Sequence, residues 1–284
     1  MQTPQPLLQL VTAAQLAKHL PSADWVVVDC RFSLEDPQRG ERDYQQGHIP
    51  GSHYAHLDRD LSSAVIAGQT GRHPLPSQTQ LNQLFARLGM HPDSHVVLYD
   101  DGPGAFASRL WWLLAWQGKS RLYMLDGGLN AWRKAGLGLT QALPSTETGS
   151  FLGQPQTDWL MDAAALNQAL QTESAPTLLD ARALPRFRGD VEPLDPVAGH
   201  IPTAQCLPFT DNLDADGFWL SPAALQKRLA AFNPSDTVCY CGSGVTACHN
   251  LAAFALAGLA LPKLYAGSWS EWITDPTRPV AQGD

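Results

Sequence analysis

Thr237-Val238-Cys239-Tyr240-Cys241-Gly242-Ser243-Gly244-Val245-Thr246 joins an apolar, β-rich run to a helix-like run, Ala247 to Leu259, through a turn carrying two glycines. The pattern reads as strand, tight turn, helix, with one thiol at the mouth of the turn. The first backbone N–H groups of a helix have no intrahelical partner, and the helix dipole makes that end positive. An anion is stabilised there, so the Cys241 pKa should fall below the roughly 8.5 of a free cysteine. The two glycines let the N–H groups of Gly242, Ser243, Gly244, Val245 and Thr246 curl toward one sulfur. The segment predicts an activated, nucleophilic Cys241, which must be reachable from outside to act.

Upstream and downstream, the second half of the chain alternates short apolar runs with helical patterns. Pro176-Thr177-Leu178-Leu179-Asp180, Gln205-Cys206-Leu207, Thr237 to Tyr240 and Lys263-Leu264-Tyr265 read as strands. The first half carries a matching set: Trp25 to Asp29, Ser52 to Ala55, His95 to Tyr99 and Arg121 to Met124. Four further blocks recur in the same order. Leu10 to Leu16 matches Leu160 to Leu166, and Val28-Asp29-Cys30-Arg31 matches Leu179-Asp180-Ala181-Arg182. Gly47-His48-Ile49-Pro50 matches Gly199-His200-Ile201-Pro202, and Leu125 to Trp132 matches Tyr265 to Trp272. The offsets are 150, 151, 152 and 140 residues. Preserved order over four blocks argues for a duplicated unit, and the period is far too long for a solenoid. The expected division is a domain at 1–143, a linker at 144–158 rich in Pro, Ser, Thr, Gly and Gln, and a second domain at 159–284. Apolar strands separated by helices predict an α/β fold, each half a mostly parallel sheet flanked by helices. Thr12 and Asp162 are equivalent N-caps for the first helix of each half. In such sheets ligands sit beyond the carboxyl ends of the strands, which is where Cys241 falls.

Composition bounds the function. Of 284 residues, 44 % are hydrophobic, enough for cores of ordinary size. Nineteen basic against 27 acidic residues leave a net charge of −8, with no basic run. That balance speaks against nucleic acid or an anionic membrane as partner. An anionic substrate would need a local positive pocket. The longest apolar run, Leu251 to Leu261, is too short to span a bilayer. Five cysteines (Cys30, Cys206, Cys239, Cys241 and Cys248) show no disulfide-framework spacing. With no secretory signal to read at the N-terminus, reduced thiols in a cytoplasm are expected.

The cysteine loop together with the duplication resembles the rhodanese superfamily, as two tandem rhodanese-like domains over nearly the whole chain. The loop Cys241-Gly242-Ser243-Gly244-Val245-Thr246 is similar to that of the 3-mercaptopyruvate sulfurtransferases. Thiosulfate sulfurtransferases of the same architecture usually carry basic residues just after the cysteine, where this chain has Gly242 and Ser243. The resemblance implies that only the second domain is catalytic. Consistently, Asp100, in Tyr99-Asp100-Asp101-Gly102, falls where Cys241 falls, and an aspartate cannot carry sulfane sulfur. The resemblance further implies that Ser243 works with a histidine and an aspartate from the first half, matched here by His73 and Asp58, in a cleft between domains. It implies a carboxylate clamp at Arg186, with Arg188 as a further candidate, and substrate-binding loop residues Gly242, Gly244, Val245 and Thr246. A second clamp arginine is expected shortly after Arg188. This chain has Glu192-Pro193-Leu194-Asp195-Pro196 instead, and Arg72, beside His73, is a candidate to supply the missing charge.

The activity so implied moves sulfane sulfur from 3-mercaptopyruvate, through a Cys241 persulfide, to a thiol such as thioredoxin or to cyanide, without metal or organic cofactor. Thiosulfate as donor and a non-catalytic persulfide carrier stay open as alternatives. A phosphatase needs a guanidinium on the loop to grip phosphate oxygens; Ala247 stands where related phosphatases place it. A metal site from Cys239, Cys241, Cys248 and His249 matches no common zinc spacing. His48, His200, Arg31 and Arg182 occur in both halves and are expected to be structural. Trp111, Trp112 and Trp116 are expected to pack on one helix.

Overall fold

The structure is a computed structural model and describes residues 7–20, 22–144, 147–173 and 175–284. Of the expected linker, Ser145 and Thr146 lie outside the described residues. Five strands form the first sheet: β1 (Gln9–Val11), β2 (Trp25–Asp29), β3 (His53–Tyr54), β4 (His95–Tyr99) and β5 (Leu122–Leu125). Their order is β1-β5-β4-β2-β3, and every pairing is parallel. The second sheet holds β6 (Thr177–Asp180), β7 (Gln205–Cys206), β8 (Thr237–Tyr240) and β9 (Lys263–Leu264) in the order β7-β6-β8-β9, again parallel. The α/β class, the parallel sheets and all eight expected strands are present, with ends shifted by a residue or two. The strand missed is β1. Its three residues are too few to show a period, and its counterpart in the second sheet is a single parallel bridge, Leu160 to Leu264.

Burial explains the apolar runs. Val27, Val97, Leu129 and Trp132 lie in the first core, and Leu178, Val238, Trp269 and Trp272 in the second. Strands covered on both faces need no polar alternation. Thr12 and Asp162 cap their helices as expected, each side chain accepting an N–H three residues on. Trp111 and Trp112 are fully buried on helix Ala105–Trp116.

By contact the chain forms two compact units that do not follow one cut. The first holds the described residues up to 63, with 76–156 and 214–219; the second holds 64–75, 157–213 and 220–284. The expected division at 144–158 put 64–75 with the first half, whereas this segment packs in the second unit.

The repeated Asp-x-Arg and Gly-His-Ile-Pro blocks build the same support in each unit. Arg31 is buried, bonded to Asp29 at 2.7–3.0 Å and to the Gly47 carbonyl at 2.9 Å. Arg182 repeats this with Asp180 (2.6–3.1 Å) and the Gly199 carbonyl (2.7 Å). The hydroxyls of Tyr99 and Tyr240 accept the N–H groups of Ile49 and Ile201 at 3.3 and 3.2 Å. His48 stacks on Tyr44 and His200 on Phe187, with centroids 3.9 and 3.8 Å apart. Burial disfavours the Arg182 cation, but Asp180 beside it raises the pKa above the ordinary arginine value. These residues tie the loop after one helix to the ends of the central strands and touch no reactive group of their own.

Removing one partner strands a buried charge, which typically costs about 3–5 kcal/mol. Asp29→Ala should therefore lower the urea-unfolding free energy by about that much. A loss below about 1 kcal/mol would show that the pair does not hold the loop.

Candidate active site

The strand-to-helix turn after β8 has the conformation its glycines demand. Gly244 sits at φ +76°, and a Cβ there would lie 2.2 Å from the Ala266 carbonyl oxygen. Only glycine fits both the torsion and the space. With the turn so wound, the Gly244 N–H points at Cys241 Sγ across 3.1 Å. Val245 caps helix Thr246–Leu256, so the loop leads directly into its first turn. The segment after β9 backs the loop: Trp269 and Ser270 donate their N–H groups to the carbonyls of Cys241 and Gly242 at 3.0 and 2.9 Å.

Ser268 is a supporting residue of the loop that sequence reading missed. It adopts φ +56°, rare for a residue with a side chain. Its counterpart in the first repeat, Gly128, has φ +57°. The hydroxyl explains the exception, because it accepts the Cys241 N–H at 3.1 Å and donates to the Tyr265 carbonyl at 3.0 Å. A contact found in one repeat and absent from the other leaves no pattern in a single sequence.

The segment 70–75 closes over the loop within the second unit. His73 Nδ1 lies 2.7 Å from Ser243 Oγ, and both residues are buried. The Arg72 N–H donates to Ser270 Oγ at 3.0 Å. A Cβ built on Gly242 would lie 2.8 Å from Arg72 Nη2 and 3.5 Å from both terminal nitrogens of Arg186. Two guanidinium groups thus converge on the loop from different segments. Cys241 is consequently only 2 % exposed, less open than the sequence led us to expect.

Arg186 bonds Glu192 at 2.7 and 3.2 Å and Asp195 at 3.3 Å. Arg72 pairs with the same Asp195. Burial would raise the Glu192 carboxyl, yet Arg186 and the amides of Leu194 and Asp195 hold it below the usual range. Asp195 is shifted the other way, upward, by burial above all. Glu192 and Asp195 read in the sequence only as missing arginines; the structure makes them partners of the guanidinium groups. Arg188 is not gathered here, since its guanidinium pairs with Asp284 at 2.5 and 2.8 Å. Asp58 belongs to the first unit, exposed at the start of helix Leu57–Asp60, its N–H donated to His56 Nδ1 at 3.1 Å.

The other thiols are placed differently. Burial pushes Cys30 and Cys239 upward and Cys206 up to about 11. Among the described residues, no group of three or more His, Cys, Asp or Glu could hold a metal ion.

The first unit shows what such a turn binds. Asp100 follows β4 as Cys241 follows β8, before helix Ala105–Trp116. Its carboxylate accepts the N–H groups of Gly102, Gly104, Phe106 and Ala107 at 2.9–3.4 Å. The left-handed glycine, Gly104 at φ +79°, comes one residue later than in the cysteine loop. The Asp100 turn is an anion nest at a helix N-terminus, whereas the Cys241 sulfur receives the Gly244 N–H from within its loop.

A family model for the rhodanese-like domain matches residues 12–135 and 162–275. The chain belongs to the rhodanese family. This rhodanese chain is 60 % identical over 281 residues to a probable 3-mercaptopyruvate sulfurtransferase of Pseudomonas aeruginosa, covering 97 % of this chain and 99 % of that one. It is 32 % identical to the thiosulfate sulfurtransferase of Mus musculus, over 90 % of this chain and 88 % of that one. Its rhodanese fold superposes on the 3-mercaptopyruvate sulfurtransferase from Leishmania major with a TM-score of 0.83 at 31 % identity, over 97 % of this chain and 76 % of that one.

The two loop glycines face different neighbours. Gly244→Ala meets backbone at a left-handed torsion and should cost about 2–3 kcal/mol. Gly242→Ala meets only the ends of two flexible side chains and should unfold within about 0.5–1 kcal/mol of wild type. Equal losses on urea unfolding would contradict this account of the turn.

Proposed function

We propose that this rhodanese-family protein transfers sulfane sulfur from 3-mercaptopyruvate, through a persulfide on Cys241, to a thiol or cyanide. The observation that carries the reading is the hydrogen bond between His73 and Ser243, two residues beyond the reactive thiol. The leaving group decides between donors. Thiosulfate releases sulfite, a stable anion that can depart without a proton. Mercaptopyruvate releases a carbon-bound enolate, which must be protonated to become pyruvate. A buried serine–histidine pair beside the sulfur suits the second case. The 60 % identity to a probable 3-mercaptopyruvate sulfurtransferase supports the same choice.

In the first step the Cys241 thiolate attacks the donor sulfur. The S–S bond forms, the C–S bond breaks, and its electron pair goes to the enolate of pyruvate. His73, acting through Ser243, delivers the proton that the enolate takes up. The donor's thiol hydrogen stays with the transferred sulfur, leaving Cys241 as a hydropersulfide. In the second step an acceptor thiolate attacks the outer sulfur and leaves as a persulfide, returning the Cys241 thiolate. This is covalent catalysis of the ping-pong type. Amides on the loop, that of Gly244 first, stabilise charge on sulfur, each worth roughly 3 kcal/mol where charge develops only in the transition state. Arg186 grips the donor's carboxylate, and the proposal gives Arg188 no part in that clamp.

The first unit enters as a non-catalytic partner, its nest filled by Asp100. The proposed setting is a reducing cytoplasm, with a thioredoxin-like dithiol as acceptor. Among the described residues, no helix is long and apolar enough to cross a membrane.

Cys241→Ser should abolish turnover, while substitution of Cys30, Cys206, Cys239 or Cys248 should leave most of it. Intact mass after incubation with mercaptopyruvate should rise by one sulfur atom in wild type only; an unchanged wild-type mass excludes the covalent route. His73→Ala separates the donors. It should lower kcat for mercaptopyruvate by roughly 100-fold or more and leave thiosulfate turnover much less affected. Equal losses with both donors would remove the proton-delivery role.

A further inference from the structure

Two like charges set side by side repel, and burial strengthens the repulsion. Arg72 and Arg186 nonetheless both reach the loop at Gly242. What reconciles them is Asp195, whose side chain is only 3 % exposed. One carboxylate oxygen faces Arg72 Nη1 and the other faces Arg186 Nη2. A carboxylate shared in this way, one oxygen to each guanidinium, gives both cations a charge-assisted partner at once. Glu192 takes Arg186 Nε and shares Nη2 with Asp195, and it also touches Arg182. Arg186 therefore keeps a carboxylate partner when Asp195 leaves. Arg72 carries the more exposed of the two guanidinium groups, at 28 % against 19 %, and its side chain has Asp195 as its ion-pair partner.

We propose that Arg72 is the second guanidinium of the donor clamp, and that a 2-oxo acid's carboxylate takes hold of Arg72 and Arg186 in exchange for the Asp195 carboxylate. The inference rests on the assignment of a carboxylate-bearing donor to the Cys241 loop. It assigns to a residue of segment 64–75 the charge that no arginine after Arg188 supplies. The exchange keeps the count of charges constant: one carboxylate leaves the pair of guanidiniums as another arrives, so the two cations are never left facing each other unscreened. It also makes the donor compete with a carboxylate of the protein itself. Asp195 thereby sets how selective the clamp is for ligands that satisfy both forks at once.

The test uses the full-length protein and pyruvate, the carboxylic acid the reaction releases, as a binding probe. Protection of Cys241 from iodoacetamide, read by peptide mass spectrometry, reports clamp occupancy without turnover. Arg72→Ala should raise the half-protecting pyruvate concentration, and the KM for mercaptopyruvate, by about tenfold or more. kcat should change much less, and Arg72→Lys should recover part of the loss. Asp195→Asn should lower the half-protecting concentration several-fold, and this gain should disappear in the Arg72→Ala background. The proposal is overturned if Arg72→Ala stays within twofold of wild type, or if Asp195→Asn weakens protection. Equal gains from Asp195→Asn in both backgrounds would also overturn it. If wild type forms no persulfide from mercaptopyruvate yet pyruvate protection depends on Arg72, the donor assignment fails and the clamp stands.

Discussion

The left-handed turn at Gly244, pressed against the Ala266 carbonyl, is the constraint on which the site depends. It aims an amide at the Cys241 sulfur and delivers the chain into the helix that follows. It also fixes where Gly242 and Ser243 stand, and so where Arg72, Arg186 and His73 can meet them. The turn is supported from behind by a second strained residue, Ser268, whose hydroxyl takes the N–H of the cysteine itself. Strain of this kind persists only where surrounding contacts over-determine the backbone, and here two neighbouring N–H groups bond the loop carbonyls as well.

Duplication displays one scaffold with two fillings. Both units support the ends of their central strands with a buried Asp–Arg pair that reaches the carbonyl of a Gly-His-Ile-Pro loop. Both place an acidic group at the foot of a helix. In the first unit the group is the Asp100 carboxylate, with four amides on it and burial raising its pKa in spite of them. In the second it is a thiol, which can accept and release a cargo atom. Oxygen in a carboxylate cannot do so, and this chemical difference separates a fixed structural anion from a carrier.

Much of this was legible in the residues. Apolar β-rich runs marked the central strands because burial on both faces leaves one consistent pattern. The Gly-Ser-Gly turn marked the reactive loop because at Gly244 torsion and space both exclude other residues. Ser243 and His73 were legible through family resemblance, and the structure sets them at hydrogen-bond distance. What escaped were contacts made by residues with no pattern of their own. Ser268 looks like an ordinary serine until its torsion is known. Asp195 and Glu192 looked like absences, because the meaning of an acid depends on which cation folds against it. The exposure of Cys241 was overestimated for the same reason: the segment that covers its loop lies about 170 residues away in the chain.

Segment 64–75 makes the second unit a composite. A gene fragment begun at the interdomain linker would encode the whole second sheet and the cysteine, yet would leave behind the histidine partner of Ser243 and the arginine beside it. The half that bears Cys241 is therefore not self-sufficient as a continuous stretch of chain. A single cut that removed the first repeat would take a piece of the second unit with it.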